Sequence, residues 1–271
     1  MIYMPQVIAK LQRAFGLIDE LDGLCSSYIN SQNFGLEKVL AAPNMWNLVL
    51  RMNEAPPLSF GVLVGDVVHN LRSSLDIAHF HYLREANQNG FAVLEPRVLK
   101  GINFPIFESE EGYQSTRWHG GLADEQLLLD LREVQPFHNM GLVESKEQGR
   151  NFVESSPLLQ LQKLWNADKH RGINLVLGGL DMLALGLDVG QESVWIQRDA
   201  PPWRNGSTIF TLELKSGVEI PTLNLSETFA LGLEDDVKPL QIYPIVSKLR
   251  ALSGITQHCH WVLQRWFENR N

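Results

Sequence analysis

Four ionisable side chains recur at helical spacing in the segment from Gly65 to His79. With His69 at 0° on a helical wheel and about 100° per residue, Arg72 falls at about 300°, Asp76 at about 340° and His79 at about 280°. The four side chains therefore share one arc of about 80°. An imidazole can act as a general acid or base near neutral pH, and a guanidinium can hold a phosphate or carboxylate through paired hydrogen bonds.

This polar arc lies beside the apolar face of the same helix and not opposite it. The apolar residues fall between about 160° and 260° on the wheel; they are Val64, Val67, Val68, Leu71, Leu75, Ala78 and Tyr82. We therefore expect His69, Arg72, Asp76 and His79 to be half-buried, where charge must be paired. Two interpretations stay open: a structural network built on an Arg72–Asp76 ion pair, or a cleft between helices that binds a small anionic or polar ligand.

A second cluster, Asp168-Lys169-His170-Arg171, ends another predicted helix. Lys169, His170 and Arg171 suit the negative end of the helix dipole, whereas Asp168 does not. We therefore predict that Asp168 or His170 meets the Arg72/Asp76 stripe across a helix–helix interface.

Two His-x-His pairs, His79 with His81 and His258 with His260, raise the question of a metal site. Residues two apart on a helix point about 200° away from each other, so only one histidine of each pair can face a common site. We predict no metal ligands and no cofactor.

Amphipathic periodicity predicts the helices that position these residues. Long helices are expected over residues 5–30, from 58 or 59 to about 87, from 157 to 171, and over about 241–267, with a short helix over 124–134. Ser156 and Pro157 are typical of a helix start, and Gly172 is typical of a stop. Asn89-Gly90 is expected to end the second helix.

The remaining segments predict loops and strands. Residues 34–52 read as a hairpin or extended arm, residues 90–123 as a long loop with an extended piece at 103–107, and residues 138–154 as a loop. After Gly172, alternation at spacing two predicts about six short strands; they include residues 183–187 and 220–225. The predicted fold is therefore α+β: a helical bundle of three to four long helices (residues 1–172 and 237–271), with an antiparallel sheet (residues 173–236) inserted before the C-terminal helix.

Composition narrows the class of protein. The 271 residues are 44% hydrophobic, which excludes general disorder. The net charge of −8 argues against non-specific coating of DNA or of an anionic membrane. The two cysteines do not make a disulfide framework, and we see neither a signal peptide nor a membrane span. We expect a cytoplasmic protein with no membrane partner.

Several motifs occur together in an order that resembles a family of bacterial hypothetical proteins. They are Gly65-Asp66, His69 to Asp76, Asn103 to Phe107, Gln135 to Phe137, Pro157-Leu158 and Asn166 to Arg171. The resemblance covers about residues 58–175. No activity is established for that family, so the resemblance indicates which residues to examine and implies no reaction.

A looser resemblance is to the HEPN helical domains, many of which are metal-independent ribonucleases. Their mark is an arginine, four to six residues and a histidine, which Arg72 and His79 match. The resemblance implies that Arg72 holds the phosphate of an RNA and that His79 aids attack by the 2′-hydroxyl, with the cleft commonly formed by a homodimer. Three functions therefore stay open: a protein that binds a small anionic or polar ligand, a ribonuclease, and an interaction protein whose polar stripe is structural.

Overall fold

The computed structural model describes residues 4–31, 33–138, 151, 153–178, 194–197, 203–213, 230–233 and 244–270. Over these residues the protein is mixed helix and strand, and a C-terminal helix follows the strands, so the predicted α+β class is confirmed. The predicted strands at 183–187 and 220–225 lie outside the described residues.

The long helices form where the amphipathic periodicity predicts them. They are α1 (Pro5–Asn30), α2 (Leu58–Ala86), α7 (Pro157–Arg171) and α8 (Ile245–Arg270), with the shorter α6 (Glu125–Arg132) between them. Pro56-Pro57 precedes α2, and Gly172 ends α7 with a φ of 74°, a value that favours glycine. Asp124 caps α6 by accepting a hydrogen bond from the Leu127 N–H.

The segment predicted as a long loop contains short helices. These are α3 (Gln88–Ala92), α4 (Pro96–Leu99), α5 (Glu110–Tyr113) and a 3₁₀ turn (Thr116–Trp118). Helix α2 already ends at Ala86, and Asn89-Gly90 lies within α3, so the predicted stop at these residues is wrong. Residues 153–155 are helical where a loop was predicted. Buried aromatic anchors explain these turns, because Phe91, Tyr113 and Trp118 each bury a ring from an otherwise polar sequence.

The strands form two antiparallel sheets. The first has the order β1 (Phe34–Ala42), β2 (Met45–Met52), β5 (Thr208–Glu213) and β4 (Val194–Gln197); the second pairs β3 (Leu175–Gly178) with β6 (Ala230–Leu233). The predicted hairpin is therefore present. Its second strand also pairs with β5, with Trp46 opposite Leu212.

The chain forms two compact units. One, here the helical unit, comprises Met1–Ile18, Val64–Gly172 and Leu249–Asn271; the other, the sheet unit, comprises Asp19–Leu63 and Ile173–Lys248. The predicted division put residues 1–172 with 237–271 and treated 173–236 as a separate insertion. It differs because β2 pairs with β5, which joins the hairpin to the later strands.

Within the sheet unit, local contacts hold the hairpin to its surroundings. The Tyr28 hydroxyl donates to the Glu54 carbonyl at 2.7 Å, and the Tyr28 ring stacks on Phe34 with centroids 6.1 Å apart. Gly61 passes so close to Ile173 that a Cβ at this position would stand 1.6 Å from the Ile173 carbonyl oxygen. Only glycine allows this approach.

Within the helical unit, α2 is the central element. Val64, Val67, Val68, Leu71, Leu75 and Ala78 are all fully buried, as the wheel predicts. A hydrogen-bond contact of 3.0 Å joins Ser74 of α2 to His260 of α8, and Lys10 of α1 donates to Asn70 at 3.4 Å. These contacts join α2 to α8 and to α1.

Candidate functional site

Arg72 and Asp76 of α2 form an ion pair whose two members also hydrogen-bond the backbone of Phe104. Arg72 Nη2 lies 3.0 Å from Asp76 Oδ1 in an ion pair, and it donates a hydrogen bond to the Phe104 carbonyl at 2.9 Å. The Phe104 N–H donates back to Asp76 Oδ1 at 2.9 Å. The guanidinium and the carboxylate therefore satisfy both polar backbone groups of one residue, and they tie Phe104 to α2.

Helix α7 contributes an aromatic ring and a second cation. The Arg72 Cζ lies 5.4 Å from the centroid of the Trp165 ring, and Lys169 Nζ lies 2.9 Å from the same ring. Trp165 and Lys169 are four residues apart, so they share one face of the helix. We call Arg72, Asp76, Trp165 and Lys169, with the backbone of Phe104, the Arg72 cluster.

Burial is graded across the Arg72 cluster. Arg72 is only 4% exposed and Asp76 is half-buried, whereas Lys169 is exposed. Burial lowers the pKa of Arg72, and the opposing influences of Asp76 and Cys259 are smaller. Burial raises the pKa of Asp76, against the influence of Arg72, the Phe104 N–H and Lys169. Both charged forms therefore bear a desolvation cost that their ion pair only partly offsets.

Unpartnered polar atoms concentrate at this place. Among the described residues, six buried side-chain atoms lack a hydrogen-bond partner, and four of them are Arg72 Nε, Arg72 Nη1, Trp165 Nε1 and His79 Nδ1. A guanidinium carries five N–H donors, and the two on Nη2 face the Phe104 carbonyl and the paired Asp76 carboxylate, whereas the three on Nε and Nη1 have no hydrogen-bond partner among the described residues. Three N–H donors of Arg72 and one of Trp165 are thus available to an acceptor that is not among the described residues. Buried orphan groups of this kind indicate a water, an ion or a ligand.

His79 lies deeper in the core than the wheel predicts. It is fully buried, its Nε2 contacts the Trp118 carbonyl at 3.3 Å, and its ring centroid lies 5.4 Å from that of Trp118. Burial lowers the pKa of His79 to about 3, so the imidazole is neutral. Because the ring is fully buried, an RNA chain cannot reach it in the structure, so the geometry does not favour the ribonuclease arrangement of Arg72 with His79.

The other predicted residues lie around the Arg72 cluster and not in it. Asp168 packs against Gly65, where a Cβ would stand 2.2 Å from Asp168 Oδ1. Gly65 precedes Arg72 by two helical turns. Helices α2 and α7 do meet, but Trp165 and Lys169 contact the stripe, where Asp168 or His170 was expected.

Three predicted residues are on the surface. His69 is exposed and its ring contacts the Ser73 hydroxyl at 3.4 Å, so the expectation that it is half-buried is wrong. His170 and Arg171 are exposed in the last turn of α7. These positions suit the helix dipole, as the sequence interpretation has it.

A cavity of about 340 Å³ in the helical unit involves residues that the sequence interpretation missed. It lies where α6 ends, α7 begins and α8 passes, and its polar lining comes from Glu133, Gln135, His138, Ser155, Ser156 and His258. The sequence signal was weak, because these residues are scattered, and the pattern gave Ser156 only as a helix start and His258 only as one of a His-x-His pair. Over the described residues no group of three or more His, Cys, Asp or Glu side chains can hold a metal ion. No described helix has both the length and the apolar character needed to cross a bilayer.

Comparisons with known proteins supply no relative. No family model matches this sequence, no curated protein matches it, and no solved structure matches it. The resemblances to the bacterial family and to the HEPN domains therefore stay predictions, and function must be argued from the site.

Proposed function

We propose that the Arg72 cluster binds a small oxyanion. The observation that carries this proposal is the sealed guanidinium of Arg72, whose Nε and Nη1 donors have no partner although the residue is 4% exposed. Each buried donor that has no hydrogen-bond partner lowers the stability of the folded protein by about 1–3 kcal/mol, and by more when the donor is charged. The donors are already desolvated in the folded protein, so an anion that accepts their hydrogen bonds removes this cost. The relief of that cost contributes to the affinity for the anion.

The charge and the surroundings also favour an anion. Arg72 and Lys169 carry two positive charges and Asp76 carries one negative charge, so the cluster has an excess of one positive charge. The indole N–H of Trp165 adds a neutral donor beside the guanidinium. Charge-assisted hydrogen bonds from arginine to an oxyanion are among the strongest that a protein makes.

The competing candidate is an interaction protein in which the stripe is purely structural. Its support is the burial of Arg72, which joins α2 to the Phe104 segment and to Trp165 of α7. Under that candidate, water satisfies the free donors and no anion stabilises the protein. The two candidates therefore predict different results in one experiment.

The experiment is thermal unfolding and titration calorimetry with a panel of sodium salts: nitrate, formate, hydrogencarbonate and phosphate. We expect at least one anion to bind saturably and to raise the unfolding midpoint, because a ligand at 100 times its Kd adds about 2.7 kcal/mol to stability. Trp165→Phe keeps an aromatic ring but removes the Nε1 donor, and it should weaken binding about tenfold, since a hydrogen bond to a charged group is worth about 1.5–3 kcal/mol.

Trp261→Phe is the matched control, because Trp261 is 51% exposed on α8 and its ring stacks on His258, outside the cluster. This variant should bind as the unmodified protein does. Equal weakening by both substitutions, or no saturable binding of any anion, would rule out the proposal and favour the structural candidate.

A further inference from the structure

The orphan atom of His79 differs in kind from those of Arg72 and Trp165. The Trp118 carbonyl can only accept a hydrogen bond, so the Nε2 of His79 that contacts it at 3.3 Å carries the proton. In a neutral imidazole the other nitrogen then has a lone pair. His79 Nδ1 is therefore a buried acceptor without a partner, next to a cluster whose orphan atoms are donors.

Phe104 connects this acceptor to the Arg72 cluster. The His79 ring stands edge-on to the Phe104 ring, with centroids 6.0 Å apart, while the Phe104 carbonyl accepts from Arg72 Nη2. The positive charge of Arg72 also acts on His79, where it adds to the effect of burial in lowering the pKa of the imidazole. The orphan donors and the orphan acceptor thus belong to one neighbourhood of the helical unit.

From these atoms, and resting on the proposed function, we infer that the oxyanion is a monoanion that keeps an O–H group. Its oxygens accept from Arg72 and Trp165, and its O–H donates to His79 Nδ1. The excess of one positive charge in the cluster matches a single negative charge. Hydrogencarbonate has this chemistry in the most compact planar form, and dihydrogenphosphate has it in a larger tetrahedral form.

The test compares anions that differ in the O–H group. Nitrate is planar, carries one negative charge and has no O–H, so it is the control ligand for hydrogencarbonate. We expect hydrogencarbonate to bind the unmodified protein at least about tenfold more tightly than nitrate, because a site that hydrogen-bonds a hydroxyl rejects the analogue that lacks it. Phosphate is titrated in parallel to distinguish hydrogencarbonate from dihydrogenphosphate as the ligand. If phosphate binds more tightly than hydrogencarbonate, the ligand with the O–H group is a phosphate.

His79→Phe should bring the affinity for hydrogencarbonate, or for phosphate if that binds more tightly, down to that for nitrate, with little change in nitrate binding. His81→Phe, on the same helix and half-buried, should keep the preference. If His79→Phe does not fold, the ratio measured on the unmodified protein decides alone. Nitrate binding as tightly as both O–H anions overturns this inference and leaves the proposed function standing, whereas no binding by any anion overturns both.

Discussion

Two histidines, the fully buried His79 and the half-buried His260, make the stability of the helical unit depend on pH in a defined window. Burial lowers the pKa of His79 to about 3 and that of His260 to about 4, from an ordinary value of 6.5. His260 faces the Ser74 hydroxyl at 3.0 Å, so both imidazoles have partners that suit a neutral ring. The perturbation is a change from pH 8 to pH 5.

The sign follows from proton linkage. Below pH 6.5 the unfolded chain takes up protons on both histidines while the folded protein does not, so stability falls as the pH is lowered. Relative to pH 8, each histidine lowers the free energy of unfolding at pH 5 by about 2 kcal/mol, and the two together lower it by about 4 kcal/mol. The loss of stability due to His260 stops near pH 4, and the loss due to His79 stops near pH 3, because the folded protein then takes up the same proton. Asp76 opposes this trend, because burial raises the pKa of its carboxyl.

The assay is urea unfolding at both pH values, followed by circular dichroism. If the two units unfold separately, the effect belongs to the transition of the helical unit. His260→Gln keeps a hydrogen-bonding group near Ser74 and should shrink the difference between pH 8 and pH 5 by about 2 kcal/mol. His258→Gln, an exposed position on the same helix, is the control and should leave that difference unchanged. A difference that is the same in all three proteins would refute the reasoning.

Two further predictions concern packing and the ion pair. Gly65→Ala should destabilise the protein by about 1–3 kcal/mol in urea unfolding, because its Cβ would stand 2.2 Å from Asp168 Oδ1; Gly254→Ala, with nothing within 4 Å, should be neutral or stabilising by up to about 1 kcal/mol. Equal effects at both glycines would contradict the close approach of α2 and α7. Asp76→Ala should cost about 3–5 kcal/mol because it leaves Arg72 buried without its carboxylate, and a cost under about 1 kcal/mol would contradict the buried pair.

The long helices could be predicted from the sequence because each has an apolar face and recognisable stops. The same periodicity placed Arg72 and Asp76 at the edge of the core, and the structure has them paired. It failed for His69, because the wheel gives an angle on the helix but not where the neighbouring segments end. His69 is exposed and His79 is fully buried, although both lie on the same arc.

The partners of Arg72 could not be predicted, for two physical reasons. Its hydrogen bond goes to the Phe104 carbonyl, and its ion-pair partner Asp76 accepts from the N–H of the same residue. Side-chain chemistry does not reveal a backbone group as a partner. On α7, the residue facing Arg72 depends on the rotation of that helix about its axis. This rotation presents Trp165 and Lys169, where charge alone suggested Asp168 or His170. The pairing of β2 with β5 was missed similarly, because long-range strand pairing leaves no local pattern.

The most direct test of oxyanion binding observes the orphan donors themselves. In a nitrogen-15 NMR titration with hydrogencarbonate, the Arg72 Nε–H and Trp165 Nε1–H signals should move together and saturate at one midpoint. The Trp165 signal is assigned as the one of seven tryptophan indole signals that disappears in Trp165→Phe. If both signals stay still while the anion reaches high concentration, or if all the indole signals drift without saturating, the Arg72 cluster does not bind this anion.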